Sequence, residues 1–332
     1  FVGSDGGWQP VPVVDRTCWP GGWVEYGRAA GLEIRQYVWF QRHSELRVHW
    51  EALPLTDGPG TAALALAGGH TAAHLWLTAD ADNNEVRVGM ESLEAAGDTD
   101  DDRWLHGVMR LHTSPSYDVC RFRTGLSQNS LAPMAEELAG TTAGGQSLGY
   151  WLELPAQACS PSAPAVFDLT AAWAFNGAAP PATEECYDFV ANIERWQGLI
   201  ESVPLPAGNA YWRRKGAVAV AGLLTSLIQS PGYGNLSAKL GIGARTLGHL
   251  SHTYFWDTMT TVPALAQLDP DWGAEVIENF TQYLGNHDCP PFALSAFPVL
   301  GQAKRAWRGS QAPIAAWAVQ KRAACTGDAG LV

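Results

Sequence analysis

The sequence predicts a multidomain β + α chain: an N-terminal antiparallel β-sandwich followed by an all-helical region. Two observations carry this. Residues 1–155 hold many short aromatic and β-branched runs cut by Gly, Asp, Asn and Pro, the pattern of an antiparallel sandwich. After about residue 182 the hydrophobic period changes to that of helices with cap signals. The domains are therefore read as 1–155 (sandwich), 156–181 (a linker rich in Ala, Pro and Ser) and 182–332 (helical).

In the first part, Leu32–Phe40 and Glu45–Leu53 read as strands joined by a hairpin-like Arg42-His43-Ser44. Ala72–Thr78, Glu85–Met90, Trp104–Leu111, Asp118–Arg123 and Leu148–Leu154 follow as further strands, with a short helix near Ser130–Leu138. In the second part, Thr183 reads as an N-cap with Glu184 and Glu185 in the first turn, where the helix dipole favours them. That helix is expected to run to about Ile200. Asn209–Ile228 follows, apolar almost all round and so expected to be covered on every side. Asp257–Leu268 and Asp271–Leu284 are broken apart by Asp269-Pro270, and Gly309–Ala324 is the fifth helix, with Pro313 near its first turn.

Composition excludes several classes. Of 332 residues, 46% are hydrophobic and 16% charged, which excludes a disordered chain. The net charge is −12, and only four of the 21 basic residues are Lys. No basic stripe is present to track a phosphate backbone, so nucleic acid is not an expected partner. The most apolar run, Gly216–Ile228, is too short to span a bilayer. The outlier is Trp, with 15 copies; its flat face and N–H donor suit the C–H faces and polar rims of sugar rings.

The six cysteines, at 18, 120, 159, 186, 289 and 325, form no C-x-x-C. An even count, with sequons at Asn235-Leu236-Ser237 and Asn279-Phe280-Thr281, points to a secreted or lumenal glycoprotein with disulfides. Partners sharing a domain would give Cys18–Cys120 and Cys289–Cys325, with glycans at Asn235 and Asn279. Asp80-Ala81-Asp82-Asn83-Asn84 has oxygen ligands at EF-hand-like spacing, but Glu85 stands where Gly is needed, so a hairpin turn is the preferred reading. Asp98–Asp102 reads as a solvated loop. No metal site and no cofactor are expected.

The chemistry is concentrated in His252-Thr253-Tyr254-Phe255-Trp256-Asp257-Thr258, where a carboxylate follows three aromatic residues at a helix start. Aromatic surroundings exclude water and suit a general acid. The alternative is that Asp257 only caps a helix beginning near Thr258.

Tyr254-Phe255-Trp256-Asp257-Thr258 resembles the signature of glycoside hydrolase family 63 and related trehalase-like (α/α)6-barrel enzymes. Further segments resemble the family in the same order: Tyr211-Trp212-Arg213-Arg214-Lys215, Leu268–Ala274, Ser310–Val319 and Thr326-Gly327-Asp328. The resemblance covers about residues 182–332. It implies that this region is the first half of an (α/α)6 barrel, with the remainder in further protein beyond Val332. It implies an inverting hydrolase of an α-glucoside or related α-linked sugar, with water as nucleophile and Asp257 as general acid. The base, a Glu, would lie beyond residue 332. Trp256, Tyr254 and Trp212 would wall the sugar subsite, and Gln311 would bond hydroxyls. The sequence departs from the family at Ala312, which replaces the first Pro of Gln-Pro-Pro, and at Met259-Thr260-Thr261 after Trp-Asp. The rival reading is a non-catalytic structural or carbohydrate-binding glycoprotein that keeps the fold.

Overall fold

The computed structural model describes residues 1–4, 7–19, 21–42, 45–93, 104–124, 142–175, 186–202, 210–224, 227–229, 240–242, 252–281, 293–295 and 314–328. The chain divides into two compact units, Phe1–Ser92 with His106–Glu194, and Leu93–Leu105 with Arg195–Val332.

The first unit is built from strands β1 (Val2–Ser4), β2 (Gly7–Gln9), β3 (Val13–Trp19), β4 (Gly22–Ala29), β5 (Leu32–Arg42), β6 (Glu45–Pro54), β7 (Gly60–Ala62), β8 (Ala65–Asp80), β9 (Glu85–Leu93), β10 (Trp104–Ser114), β11 (Val119–Thr124), β12 (Thr142–Glu153), β13 (Gln157–Cys159) and β14 (Ala165–Phe175). Ten of them form one sheet in the order β11-β12-β8-β9-β10-β14-β6-β5-β4-β3. The alternation that predicted β5 decides its faces: Leu32, Ile34 and Val38 are buried, while Glu33, Arg35 and Tyr37 point to the other side. Arg42 pairs with Glu45, as the expected hairpin requires, although residues 43–44 lie outside the described residues.

The sandwich arises because this single sheet folds over. Gln36 on β5 and Tyr150 on β12 line one cavity, yet their strands are six places apart in the sheet order. At about 4.8 Å per strand they would be ~29 Å apart if the sheet were flat. The inner faces of the two halves therefore meet. Leu46, Leu66, Tyr117 and Leu169 pack against both buried clusters, one centred on Trp50 and Phe167, the other on Phe122 and Leu148.

Three expectations are corrected in this unit. Residues 165–175 are not linker: β14 lies between β10 and β6 in the middle of the sheet. Its Ala165, Phe167 and Ala171 are buried in alternation, a strand pattern hidden by the Ala- and Pro-rich flanks. The Cys18–Cys120 bond does not exist. Both thiols are free, on the last and first strands of the sheet order, and burial pushes the Cys120 thiol up to about 12. Cys325 is also free, and Cys289 lies outside the described residues, so no disulfide occurs among them. Finally, the first helix, α1 (Phe189–Ser202), starts after Asp188. The Ala191 amide donates to the Asp188 carboxylate at 2.7 Å, which makes Asp188 the N-cap in place of Thr183.

The start of α1 is fixed by aromatic packing. The Phe189 ring meets Trp19, Tyr37 and Trp39 edge-on, with centroids 5.3–6.1 Å away. The buried Asn192 amide donates to the Gly21 carbonyl at 2.7 Å. Gly22 sits beneath Phe189, and a Cβ there would lie 2.8 Å from the Val38 carbonyl oxygen and 3.3 Å from the Phe189 ring. Gly22→Ala is therefore expected to cost about 1–3 kcal/mol, the range for overpacking, read as a lowered denaturation midpoint in urea.

On the same sheet face, Asp168 accepts from His49 Nδ1 at 3.0 Å and from Arg47 at 3.3 Å. Burial pushes the Asp168 carboxyl up, but the His49 hydrogen bond and the His49 and Arg47 charges together hold it below the usual range. A depressed carboxyl contributes stability above its unfolded value of about 3.9 and loses it as pH falls through the lower folded value. Asp168→Asn should therefore destabilise at pH 7 and leave a smaller difference from the parent near pH 3, measured by denaturant unfolding at both.

Residues 80–85 form the expected hairpin turn. Asp80 pairs with Glu85, and the Asn84 amide donates to the Ala81 carbonyl at 3.2 Å. The Asp80 carboxylate accepts from the Asn83 backbone and side chain. The helix expected near Ser130–Leu138 and the loop Asp98–Asp102 lie outside the described residues.

The second unit contains α2 (Ala210–Leu224), α3 (Phe255–Leu268), α4 (Pro270–Thr281) and α5 (Ile314–Thr326), with short strands β15 (Leu227–Gln229), β16 (Leu240–Ile242), β17 (His252–Tyr254) and β18 (Ala293–Ser295). Its core is Phe255, Met259, Val262 and Leu265 of α3, Val276, Ile277 and Phe280 of α4, and Ala318 of α5. The α3 members recur every three or four residues, one face of a helix. Asp269 caps α4 through the Asp271 amide at 2.8 Å, with Pro270 at the first helical position. Gly273 allows α4 to lie close to Ala266 of α3. The buried Arg322 ties α5 to the start of α4 by donating to the Pro270 carbonyl at 3.2 Å.

Helix α2 departs from expectation. It is not covered on every side: Tyr211 and Val218 are 60% and 65% exposed, and among the described side chains of the helix Leu223 packs against the core. Its apolar residues spread round the helix instead of forming one stripe, so the Leu223 contact by itself does not cover it. Among the described residues the helices form a core of α3, α4 and α5, with α2 touching it. No helix among them is long and apolar enough to cross a membrane.

Candidate active site

The segment that carried the chemistry spans the junction of β17 and α3. Tyr254 ends β17, opposite Ala293 on β18. Helix α3 begins at Phe255. Phe255 turns inward and is buried with its ring 5.3 Å from Phe280. Each later residue rotates by about 100°. Trp256 and Asp257 thereby emerge on the exposed side, and Thr258 and Met259 return to the core.

Asp257 is thus the third residue of α3 and not its cap. A carboxylate in the first turn interacts favourably with the helix dipole. Its backbone carbonyl accepts from the Thr260 hydroxyl at 2.7 Å. Beside it in the sequence Trp256 is 49% exposed, so an indole and a carboxylate are both open to solvent in the first turn of α3. This pair offers an apolar platform and a proton donor or acceptor, the two groups that a sugar ring and its glycosidic oxygen require.

Of the residues at which the sequence departs from the resembled signatures, Ala312 lies outside the described residues, and Met259, Thr260 and Thr261 belong to α3. Met259 is fully buried, and the Thr260 and Thr261 hydroxyls donate back to the Asp257 and Thr258 carbonyls at 2.7 Å. They are packing and helix-surface residues.

The other expected site residues are placed less closely. Trp212 lies in the first turn of α2 and Tyr254 at the end of β17. The structure brings together Tyr254, Trp256 and Asp257 by sequence adjacency alone. Gln311 lies outside the described residues. Asn279 is in the last turn of α4, between the exposed Glu278 and the buried Phe280; Asn235 lies outside the described residues.

Sequence reading missed one polar array, in the first unit. Arg16, Glu25, Gln36 and Trp50 oppose one another directly across β3, β4, β5 and β6. The Trp50 indole N–H donates to Gln36 Oε1 at 2.6 Å. The Gln36 amide donates to Glu25 Oε2 at 3.0 Å, and Arg16 pairs with the other Glu25 oxygen. The available signal was parity: Gln36 shares the inward face with Ile34 and Val38.

Comparison with solved structures shows the fold. The chain is similar to an inverting mannosidase of family GH92 from Bacteroides thetaiotaomicron, with a TM-score of 0.51 and 11% identity, over 95% of this chain and 40% of that one. It is also similar to a candidate kojibiose phosphorylase from the human microbiome, with a TM-score of 0.53 and 10% identity, over 91% of this chain and 41% of that one. The chain thus spans about 40% of the length of these structures. At such identity the likeness is one of fold. No protein-family model matches the chain, and no curated protein does.

Proposed function

We propose that this chain is the N-terminal part of an inverting glycosidase acting on an α-linked sugar. The observation that carries this is the Trp256–Asp257 pair on the open side of α3, in a chain whose fold is shared with an inverting mannosidase. The resemblance to family 63 and trehalase-like enzymes makes an α-glucoside the first substrate to test, and the fold likeness adds α-mannosides.

In this reading Asp257 protonates the glycosidic oxygen as the C1–O bond breaks. Water attacks C1 from the opposite face, and a Glu beyond residue 332 takes its proton. An inverting pair needs about 6.5–9.5 Å between its carboxyl groups, to leave room for that water. Trp256, Tyr254, Trp212 and Gln311 surround the sugar. No cofactor is required. Asp257 is exposed here, so the desolvation that keeps a general acid protonated is supplied by substrate and by the rest of an (α/α)6 barrel. That remainder would also cover Val218 and Tyr211 of α2. A secreted or lumenal route with glycans at Asn235 and Asn279 belongs to the same reading.

The exposure of Asp257 also favours a second reading, a carbohydrate-binding glycoprotein without catalysis. The test is hydrolysis of α-glucosides and α-mannosides by the complete polypeptide and by residues 1–332 alone, with the anomer of the fresh product followed by NMR. The proposal expects a β-anomer from the complete polypeptide and no turnover by 1–332. A retained α-anomer, activity of 1–332 alone, or binding without any turnover would each overturn it.

A further inference from the structure

The fold-over of the sheet leaves a cavity of about 340 Å³ in the first unit. This lies within the range of small-ligand sites, roughly 300–1,000 Å³. Its walls include Trp50, Gln36 and Glu25 from one half of the sheet and Tyr150 and Leu66 from the other. Val13, half exposed, also lines it and opens it toward solvent.

Polar groups at this place run against the rest of the core. Positions flanking Gln36 on its face are Ile34 and Val38, both buried. Burying an amide and a carboxylate costs stability unless they are bonded. The ladder from Trp50 through Gln36 and Glu25 to the exposed Arg16 supplies those bonds. It does not use them up. The Gln36 amide has two N–H groups, one of which reaches Glu25, and the second has no partner among the described residues. Each Glu25 oxygen keeps a further lone pair. Opposite, Gly68 leaves the space that the Tyr150 ring occupies, since a Cβ there would meet that ring.

We propose that this cavity is a binding site for a single neutral sugar ring. Trp50 and Tyr150 present apolar faces to ring C–H groups, and Gln36 and Glu25 bond to hydroxyls. The Glu25–Arg16 ion pair leaves the site without net charge, so the ligand is a neutral polyol. The site lies in the first unit and does not rest on the assignment of Asp257.

The test uses chain 1–332 labelled with 15N and titrated with D-glucose, D-mannose and, as an anionic control, D-glucuronate. The Trp50 indole N–H resonance is assigned by its loss in Trp50→Phe. It is expected to shift saturably with a neutral sugar at millimolar affinity and to remain still with glucuronate. Gln36→Leu should weaken that response about tenfold or more, through the lost hydrogen bonds, and lower the thermal midpoint because the buried Trp50 N–H loses its acceptor, with the dispersed 15N spectrum showing that the variant still folds. Gln36→Met serves the same end if the Leu variant fails to fold. Asp257→Asn should leave the Trp50 shift intact, which separates this site from the proposed hydrolase. No Trp50 shift up to about 50 mM sugar, an equal response to glucuronate, or an undiminished response in the folded Gln36 variant would each overturn the proposal.

Discussion

Asp257→Asn is expected to lower turnover of an aryl α-glycoside with a poor leaving group by about 10²–10⁴-fold, the usual worth of a general acid. This corresponds to roughly 2.7–5.5 kcal/mol of barrier at 1.36 kcal/mol per factor of ten. An amide keeps the shape of the side chain and cannot deliver the proton. Folding should change little, because Asp257 is exposed and an exposed first-turn carboxylate contributes only about 0.3–1 kcal/mol through the helix dipole. The assay belongs to the complete polypeptide, and a second substrate identifies the role. A glycosyl fluoride leaves without protonation, so the variant should hydrolyse it at nearly the parental rate. Equal losses on both substrates would assign Asp257 to activating water or holding the sugar. Unchanged rates on both would remove it from the mechanism.

What could be read from the sequence follows the range of the interactions. Helix α3 and strand β5 were legible because their patterns are local: a three- to four-residue recurrence of Phe255, Met259, Val262 and Leu265, and an alternation of Leu32 and Ile34 with charged neighbours. The break between α3 and α4 was legible because Asp269 and Pro270 act within one turn. Strand β14 was not, since its alternating Ala165, Phe167 and Ala171 place small residues at inward positions and the flanking prolines set the local composition. The start of α1 depends on Phe189 finding Trp19, Tyr37 and Trp39, which no cap rule contains. The polar ladder was hidden for a related reason. Arg16, Glu25, Gln36 and Trp50 meet only once the registers of three strand pairs are fixed. For the candidate active site, the position of Asp257 in the first turn of a helix was legible and the company it keeps was not. Under the proposed function its neighbours would come from elements far away in the chain.

Phe280→Ala is expected to produce the largest loss of stability in the second unit. Phe280 is fully buried in the last turn of α4 and meets the Phe255 ring at 5.3 Å with an interplanar angle of 66°. Removing such a ring costs about 3–5 kcal/mol through lost burial and the cavity left behind. Against a typical total of roughly 5–15 kcal/mol, that is a substantial share. Phe280→Leu, which retains most of the volume, should cost less than about 1.5 kcal/mol. Val218→Ala, at an exposed site on α2, should stay within about 0.5 kcal/mol. Under the proposed function the loss would also reach the site, because Phe255 directly precedes Trp256 and Asp257. With Phe280 gone, Phe255 loses the ring that fixes the first residue of α3, and the first turn that aims the carboxylate is free to fray. Unfolding in denaturant should therefore show the order Ala, Leu, parent in midpoint. Hydrogen exchange at the Thr258 and Met259 amides, in the first turns of α3, should accelerate in Phe280→Ala under native conditions. A parental midpoint in Phe280→Ala would show that this aromatic pair does not hold α3 to α4.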